Sequence, residues 1–277
     1  MSGQVFRWDD LGDDRLLGVD GENWYLVKTL KKETYAIKTN ASEQRFKNLF
    51  RLDEPLDEYR EKIISKAPEM KKYIDQLPGL RVMRPTDAVE ETFCFLCTAN
   101  NNLKRILSMV RTLAKKGPVM QEVEGIEIHR FPDVGQIADI DEQELRDQGF
   151  GYRGKTIPAI ARQIMDRGGR VWLESLRKTP YEEARTQLLE LKGVGPKLAD
   201  CICLFALNHT EAVPVDTHLW QASVRLYFPE WRGKSLTDKR YQAIGNHFRE
   251  TFGDLAGWAH QYLFYDNLLN WRTYRQG

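Results

Sequence analysis

A surplus of charge, long apolar runs, repeats and cysteine frameworks are all missing from this chain, and each absence narrows what it can do. With 41 Lys and Arg against 40 Asp and Glu, the formal net charge is only +1. A protein that grips a polyanion through many lysine contacts usually carries a clear basic excess. No run of about 18 apolar residues occurs, so no membrane-spanning helix and no membrane partner are expected. The opening MSGQVFRWDD is too polar for the apolar core of a secretory signal, and an intracellular protein is expected. Only 4 cysteines are present. Cys94 and Cys97 lie in ETFCFLCTAN, and Cys201 and Cys203 in ADCICLFAL, apolar settings in which a free thiol behaves as a small hydrophobe. Cys94 and Cys97 have the spacing of a redox pair or half a metal site, but no second pair with ligand spacing accompanies them. The 5 histidines (129, 209, 218, 247 and 260) show no metal-ligand spacing, so no catalytic metal is expected. Tandem repeats and low-complexity tracts are absent too.

What is present is a globular composition, 42% hydrophobic and 29% charged. The first 40 residues alternate and turn. VFRW, RLLGVD, NWYLVKTL and ETYAIKT, separated by DDLGDD and DGEN, predict three or four antiparallel strands. After Asn40 apolar residues recur at three- and four-residue steps, the helical period. Helices are expected around RFKNLFRL, LDEYREKIISKA and PEMKKYIDQLPG, the last opened by Pro68. Others are expected over 85–99, capped by Thr86, over 102–116, and through most of 136–272, with a glycine-rich break at 149–154 and a loop or short hairpin at 117–135. The class is α+β, mostly α. One local bias stands out: 151–178 holds Arg153, Lys155, Arg162, Arg167, Arg170, Arg177 and Lys178 against Asp166 and Glu174. That stretch suits a polyanion-facing surface or an ordinary solvated one.

LKGVGPKLADC at 191–201 carries the chemistry. Gly193 and Gly195 sit in a turn between two helices, where glycine permits positive φ and close backbone approach. The amides opening the second helix then form a phosphate site made of main chain, which needs little side-chain charge. A plain helix-to-helix turn accounts for the glycines equally well. Lys197, however, precedes an almost wholly apolar stretch, where an amine is costly unless it reaches a cleft or water. A helix N-terminus disfavours a cation, and a neutral amine is a nucleophile. In AVPVDTHLW, Asp216 stands where the chain enters a helix. It reads as an N-cap, or as a carboxylate able to stabilise a sugar cation beside Lys197.

These segments resemble the helix-hairpin-helix DNA glycosylases, and within them the 8-oxoguanine DNA glycosylase/AP lyase family. LKGVGPKLADC resembles the hairpin and catalytic-lysine segment, and VPVDTHLW the catalytic-aspartate segment. SGQVFRW at 2–8, NNNLKR at 100–105, GFGYRGK at 149–155 and AGWAHQYLF at 256–264 match in order. The resemblance implies an N-terminal β region with the first helices over 1–80 and a helical catalytic region over 81–277, its C-terminal helix 254–270 packing back on the cleft. It implies excision of oxidised purines from duplex DNA by a monomer, followed by β-elimination. Lys197 is then the nucleophile at C1′, Asp216 its assisting carboxylate, and His218 a phosphate or organising contact beside Gly193 and Gly195. Cys201 and Phe264 would sandwich the extruded base, Gly3 would read it through its carbonyl, and His260 would occupy the base-reading position. Asn100, Arg105 and Arg153 would address the orphaned partner base, with Tyr152 as wedge. The carbonyls of Leu189, Leu191 and Val194 would seat a structural monovalent cation. Each assignment has a plainer counterpart: Phe264 as core, Cys201 as filler, Asn100–Asn102 as a helix break, Tyr152-Arg153 as a turn.

Three departures matter. The family places a glutamine at position 260, and histidine offers fewer hydrogen-bonding groups, one donor and one acceptor when neutral. Gln261 follows, but helix neighbours point about 100° apart and it is not a simple substitute. Altered or broader lesion and partner-base discrimination is therefore expected. Gly3 lies so near the start that it is expected to be loosely held. An iron–sulfur cluster of the wider superfamily is not expected, because 204–277 lacks cysteine. A different lesion range, or a non-catalytic helix-hairpin-helix DNA-binding protein, are the alternatives.

Overall fold

The computed structural model describes residues 3–31 and 34–274, with side chains to 270. Ser2 of the first matching stretch and Glu33 of the fourth expected strand lie outside the described residues. Four strands form an antiparallel meander in the order β1-β2-β3-β4: β1 (Trp8–Gly12), β2 (Arg15–Asp20), β3 (Asn23–Lys31) and β4 (Thr34–Thr39). The first strand lies later than expected, starting where VFRW ends and taking in residues read as a turn. Phe6 instead leaves the sheet for the main core, packing edge-on against Phe95 at 5.3 Å between centroids. Trp8 and Tyr25 stack on the sheet face against Leu49 and Met83.

Three helices follow, α1 (Glu43–Leu49), α2 (Leu56–Lys66) and α3 (Lys71–Gln76), the last preceded by a 3-10 turn at Pro68–Met70. Then comes α4 (Ala88–Leu96), buried along its whole length. Its cap is Asp87, not Thr86: the Asp87 carboxylate accepts from the Val89 and Glu90 amides, while Thr86 bonds Asp20 through both N–H and hydroxyl at 2.8 Å. Next are α5 (Leu103–Ala114) and a hairpin of β5 (Val119–Val123) and β6 (Ile126–His129), which packs on the first sheet through Val123 and Ile128.

The remaining helices are α6 (Val134–Ala138), α7 (Glu142–Asp147), α8 (Arg153–Asp166), α9 (Gly169–Ser175), α10 (Tyr181–Leu189), α11 (Pro196–Cys201), α12 (Thr217–Leu226), α13 (Asp238–Phe252) and α14 (Ala256–Tyr274). The apolar continuation of α11 is a π turn over Ile202–Ala206 rather than regular helix, and every residue in it is buried. It brings Phe205 flat against Phe95 of α4 at 5.1 Å. α14 closes the molecule. Tyr262 bonds the Leu80 carbonyl at 3.3 Å and Trp258 meets Tyr59 of α2, so this helix joins the early helices to the late ones. Its start approaches very closely: the Gly257 amide donates to Thr210 at 2.7 Å, and a Cβ at 257 would come within 2.5 Å of Leu204. Only glycine fits there.

Candidate active site

The hairpin between α10 and α11 is locked from both sides. Gly193 has φ +112, and a Cβ there would meet Thr156 of α8 at 2.9 Å, so both conformation and space require glycine. Gly195 differs: its φ is −93, and a Cβ there would meet nothing within 4 Å. Neither conformation nor space requires glycine at this position. Gln163 clamps the turn by accepting from the Lys192 amide at 2.8 Å. Of the expected cation-binding carbonyls, that of Leu191 also accepts the Val194 amide at 2.9 Å.

From this turn Lys197 projects, half-buried, into a cavity of about 230 Å³ enclosed by α4, α5, α11, α12, α14 and the amino-terminal segment. Its Nζ lies 3.3 Å from the Thr98 hydroxyl. Cys201, one turn on, faces the same space; burial pushes its thiol up to about 11, with Lys197 acting against the rise. A thiol so held is a neutral neighbour rather than a competing nucleophile.

Asp216 is an N-cap and also a wall of the cavity. It caps α12, and the amides of His218 and Leu219 both donate to its Oδ1 at 2.9 Å. Asp216 lines the cavity together with Lys197. The amine and the acid therefore share one pocket. His218 lines it too, its ring edge-on to Phe264 at 5.7 Å and its Nδ1 3.2 Å from Asn267 Nδ2.

The far wall is made by α14 and the amino-terminal segment. Phe264 and His260, one turn apart, lie nearly parallel at 5.8 Å. Gly3 faces Phe264 so closely that a Cβ would sit 3.3 Å from the ring. Contrary to the expectation of a loose terminus, this segment is pinned: Gln4, almost fully buried, donates to the Arg81 carbonyl at 2.9 Å and accepts the Met83 amide at 2.7 Å. His260 is fully buried, and burial pushes its imidazole down to about 3. The Pro214 and Gly257 carbonyls oppose that drop and the Lys197 charge adds to it. The ring is neutral at ordinary pH. Gln261 lines the cavity as well, so the two neighbours diverge less in effect than their helical positions imply.

The expected orphan-base residues gather on a separate rim. Tyr152, 56% exposed, places its hydroxyl 3.4 Å from the Ala99 carbonyl. Arg105 donates to the Gly149 carbonyl at 2.9 Å, joining the start of α5 to the loop before α8. Asn100 is exposed with a left-handed φ of +45. Arg153 departs from expectation. It is 4% exposed and donates to the carbonyls of Ala99 and Asn100, so in this state it holds the rim together instead of reaching outward. The wider basic stretch is likewise engaged internally. Arg162 bonds the Ala138 carbonyl, Arg167 pairs with Glu190, Arg170 with Asp87 and Asp133, and Arg177 with Glu174. Lys155 and Lys178 of the same stretch are exposed.

Two polar residues of the cavity wall were not singled out from sequence. Thr98 meets the Lys197 amine, and Asn101 points inward, bonding the Cys97 carbonyl at 3.0 Å, while its neighbour Asn102 caps α5. The asparagine run marked the place, but which of the three faces the cavity depends on the chain path between α4 and α5.

A family model described as "HhH-GPD superfamily base excision DNA repair protein" matches residues 93–247, and another, "8-oxoguanine DNA glycosylase, N-terminal domain", matches 1–91. The "N-glycosylase/DNA lyase OGG1" of Arabidopsis thaliana is 34% identical over 284 residues, covering 99% of this chain and 78% of the relative. The "N-glycosylase/DNA lyase" of Saccharomyces cerevisiae is 29% identical, covering 95% and 81%. A crystal structure of Clostridium acetobutylicum 8-oxoguanine glycosylase/lyase, in complex with dsDNA containing cytosine opposite to 8-oxoG, superposes with a TM-score of 0.85 at 28% identity, covering 97% of this chain and 90% of that one. Fold and family match together define a member of the helix-hairpin-helix superfamily of base-excision DNA repair proteins. Within it, the chain belongs to the 8-oxoguanine DNA glycosylase family.

Proposed function

We infer that the protein excises oxidised purines, 8-oxoguanine foremost, from duplex DNA and then cleaves the strand as an AP lyase. The observation that carries this is the pairing of Lys197 with Asp216 around one cavity whose other walls are Cys201, His260 and Phe264. A base must leave the stack to reach such a site, and aromatic and apolar walls offset part of the cost of extruding it.

The Lys197 amine attacks C1′ as the bond from C1′ to the base breaks, and the base departs with that electron pair and takes up a proton. The Asp216 carboxylate faces the positive charge that develops on the sugar, where a fixed carboxylate in a partly dry site acts strongly. Loss of the amine protons and opening of the sugar ring leave a Schiff base on Lys197. Removal of a C2′ proton then expels the 3′ phosphate. The main-chain amides of the hairpin and the first turn of α11 after Pro196 would take a backbone phosphate, and the Gly3 carbonyl would accept from the N7–H that an oxidised purine bears. Asn100, Arg105 and Tyr152 would fill the gap and meet the orphaned base, and Arg153 would join them on exchanging its carbonyl partners. Leu189, Leu191 and Val194 supply neutral oxygens, a donor set suited to a monovalent cation, which would hold the hairpin when bound.

His260 sets the specificity expectation. A neutral ring presents fewer groups to a base edge than an amide. Cleavage is therefore expected to spread over several lesions and partner bases. The test is release of free 8-oxoguanine from duplexes carrying it opposite each of the four bases, with strand nicking followed separately. Release with nicking supports the enzyme, absence of both overturns it, and strict confinement to cytosine overturns the role given to His260.

A further inference from the structure

We propose that the Tyr241 hydroxyl is a positioning group for the reaction, joining the helix that carries the amine to the segment that carries the acid; this rests on the glycosylase function above. Asp200 is three residues after Lys197 on α11 and 1% exposed. On the helix it lies to one side of Lys197 and Cys201 to the other. Its carboxylate faces away from the cavity into a set of donors. Oδ1 accepts from the Tyr181 hydroxyl at 2.7 Å and Arg185 Nε at 2.8 Å, and Oδ2 accepts from the Tyr241 hydroxyl at 2.5 Å.

The Tyr181 hydroxyl also accepts from Arg249 at 3.3 Å, whereas Tyr241, from α13, reaches the segment that carries the acid. Its oxygen also accepts the buried amide of Val215 at 3.3 Å. Val215 lies between Pro214 and Asp216, both of which line the cavity, and the Pro214 carbonyl also faces His260. One hydroxyl thus connects α11 to the middle of the run that ends in the acid. Burial and the Asp200 charge push its ionisation well up, so it remains a donor at any working pH. The Val215 amide is buried, so loss of this acceptor leaves an unsatisfied donor beside Asp216 and favours a shift of the backbone there. A misplacement of about 1 Å at a reacting group costs on the order of 100-fold in rate.

The test compares Tyr241→Phe with Tyr181→Phe, each losing one buried hydroxyl bond to Asp200, only the first losing the tie to Val215. Tyr241→Phe is expected to slow single-turnover base release about 10-fold or more. Duplex binding and borohydride trapping on a ready-made abasic site, which need the amine but not base expulsion, should change much less. Tyr181→Phe should retain base release, with a similar fall in thermal midpoint. In Tyr241→Phe/Asp200→Asn the loss of base release should not exceed that of the worse single variant, as for groups acting as a unit. Equal losses of base release in the two phenylalanine variants, proportional losses of release and trapping in Tyr241→Phe, or no loss at all would each overturn the proposal. Absence of base release by the unaltered protein would instead overturn the underlying function.

Discussion

At the scale of the residue, the site depends on side chains that serve two purposes at once. Asp216 caps a helix with Oδ1 and also lines the cavity. Asparagine also caps helices well, so Asp216→Asn should keep its unfolding free energy within about 1 kcal/mol of the parent. Base release should nonetheless fall on the order of 100-fold or more, the scale of losing a positioned acid–base group. Denaturant unfolding and single-turnover kinetics on the same preparation separate the two effects. His260 makes a pH prediction. Its folded pKa of about 3 lies below the ordinary value of 6.5, so its contribution to stability is complete above pH 6.5 and is lost as pH falls toward 3, where the unfolded chain takes up a proton that the folded chain refuses. His260→Gln removes that dependence. The drop in unfolding free energy between about pH 7 and about pH 5 should shrink by about 2 kcal/mol, from about 1.4 kcal/mol per pH unit below the ordinary value. An unchanged drop contradicts the buried neutral ring.

At the scale of the element, the two hairpin glycines look alike in sequence and differ in the structure. Gly193 is held at φ +112 against Thr156, whereas Gly195 has φ −93 and open space. Gly193→Ala should cost about 2 kcal/mol in denaturant unfolding, and Gly195→Ala less than about 0.5 kcal/mol. The reverse order would contradict the hairpin geometry. The same contrast shows how far sequence reaches. Hairpin, lysine and aspartate are local signals, a tight turn followed by an exposed amine and a helix cap, and they were legible residue by residue. The antiparallel sheet and most helices were legible from period alone. The cap of α4 was not, because Thr86 and Asp87 are both good caps and the choice is made by Asp20, 66 residues away. The π turn was hidden for a related reason: an apolar run does not disclose which hydrogen-bond step it adopts when packed on α4. The inward turn of Arg153 and the link through Tyr241 depend on partners far along the chain, and no local pattern carries them.

At the scale of the whole molecule, the charge is near neutral and the arginines of 151–178 have partners within the protein. Counterion release scales with the number of phosphates neutralised by cations. The logarithm of duplex affinity should thus fall with the logarithm of salt with a slope shallower than about −5; a much steeper slope would reveal a basic surface that those partnered arginines do not supply. The central claim, that an amine and an acid share a cavity able to take one nucleotide, is tested most directly by reductive trapping. Incubated with a duplex containing 8-oxoguanine and borohydride, the protein should become covalently joined to the DNA, and Lys197→Gln, still folded and still binding the duplex, should not. Trapping that persists in Lys197→Gln, or its absence from the unaltered protein, would contradict the account.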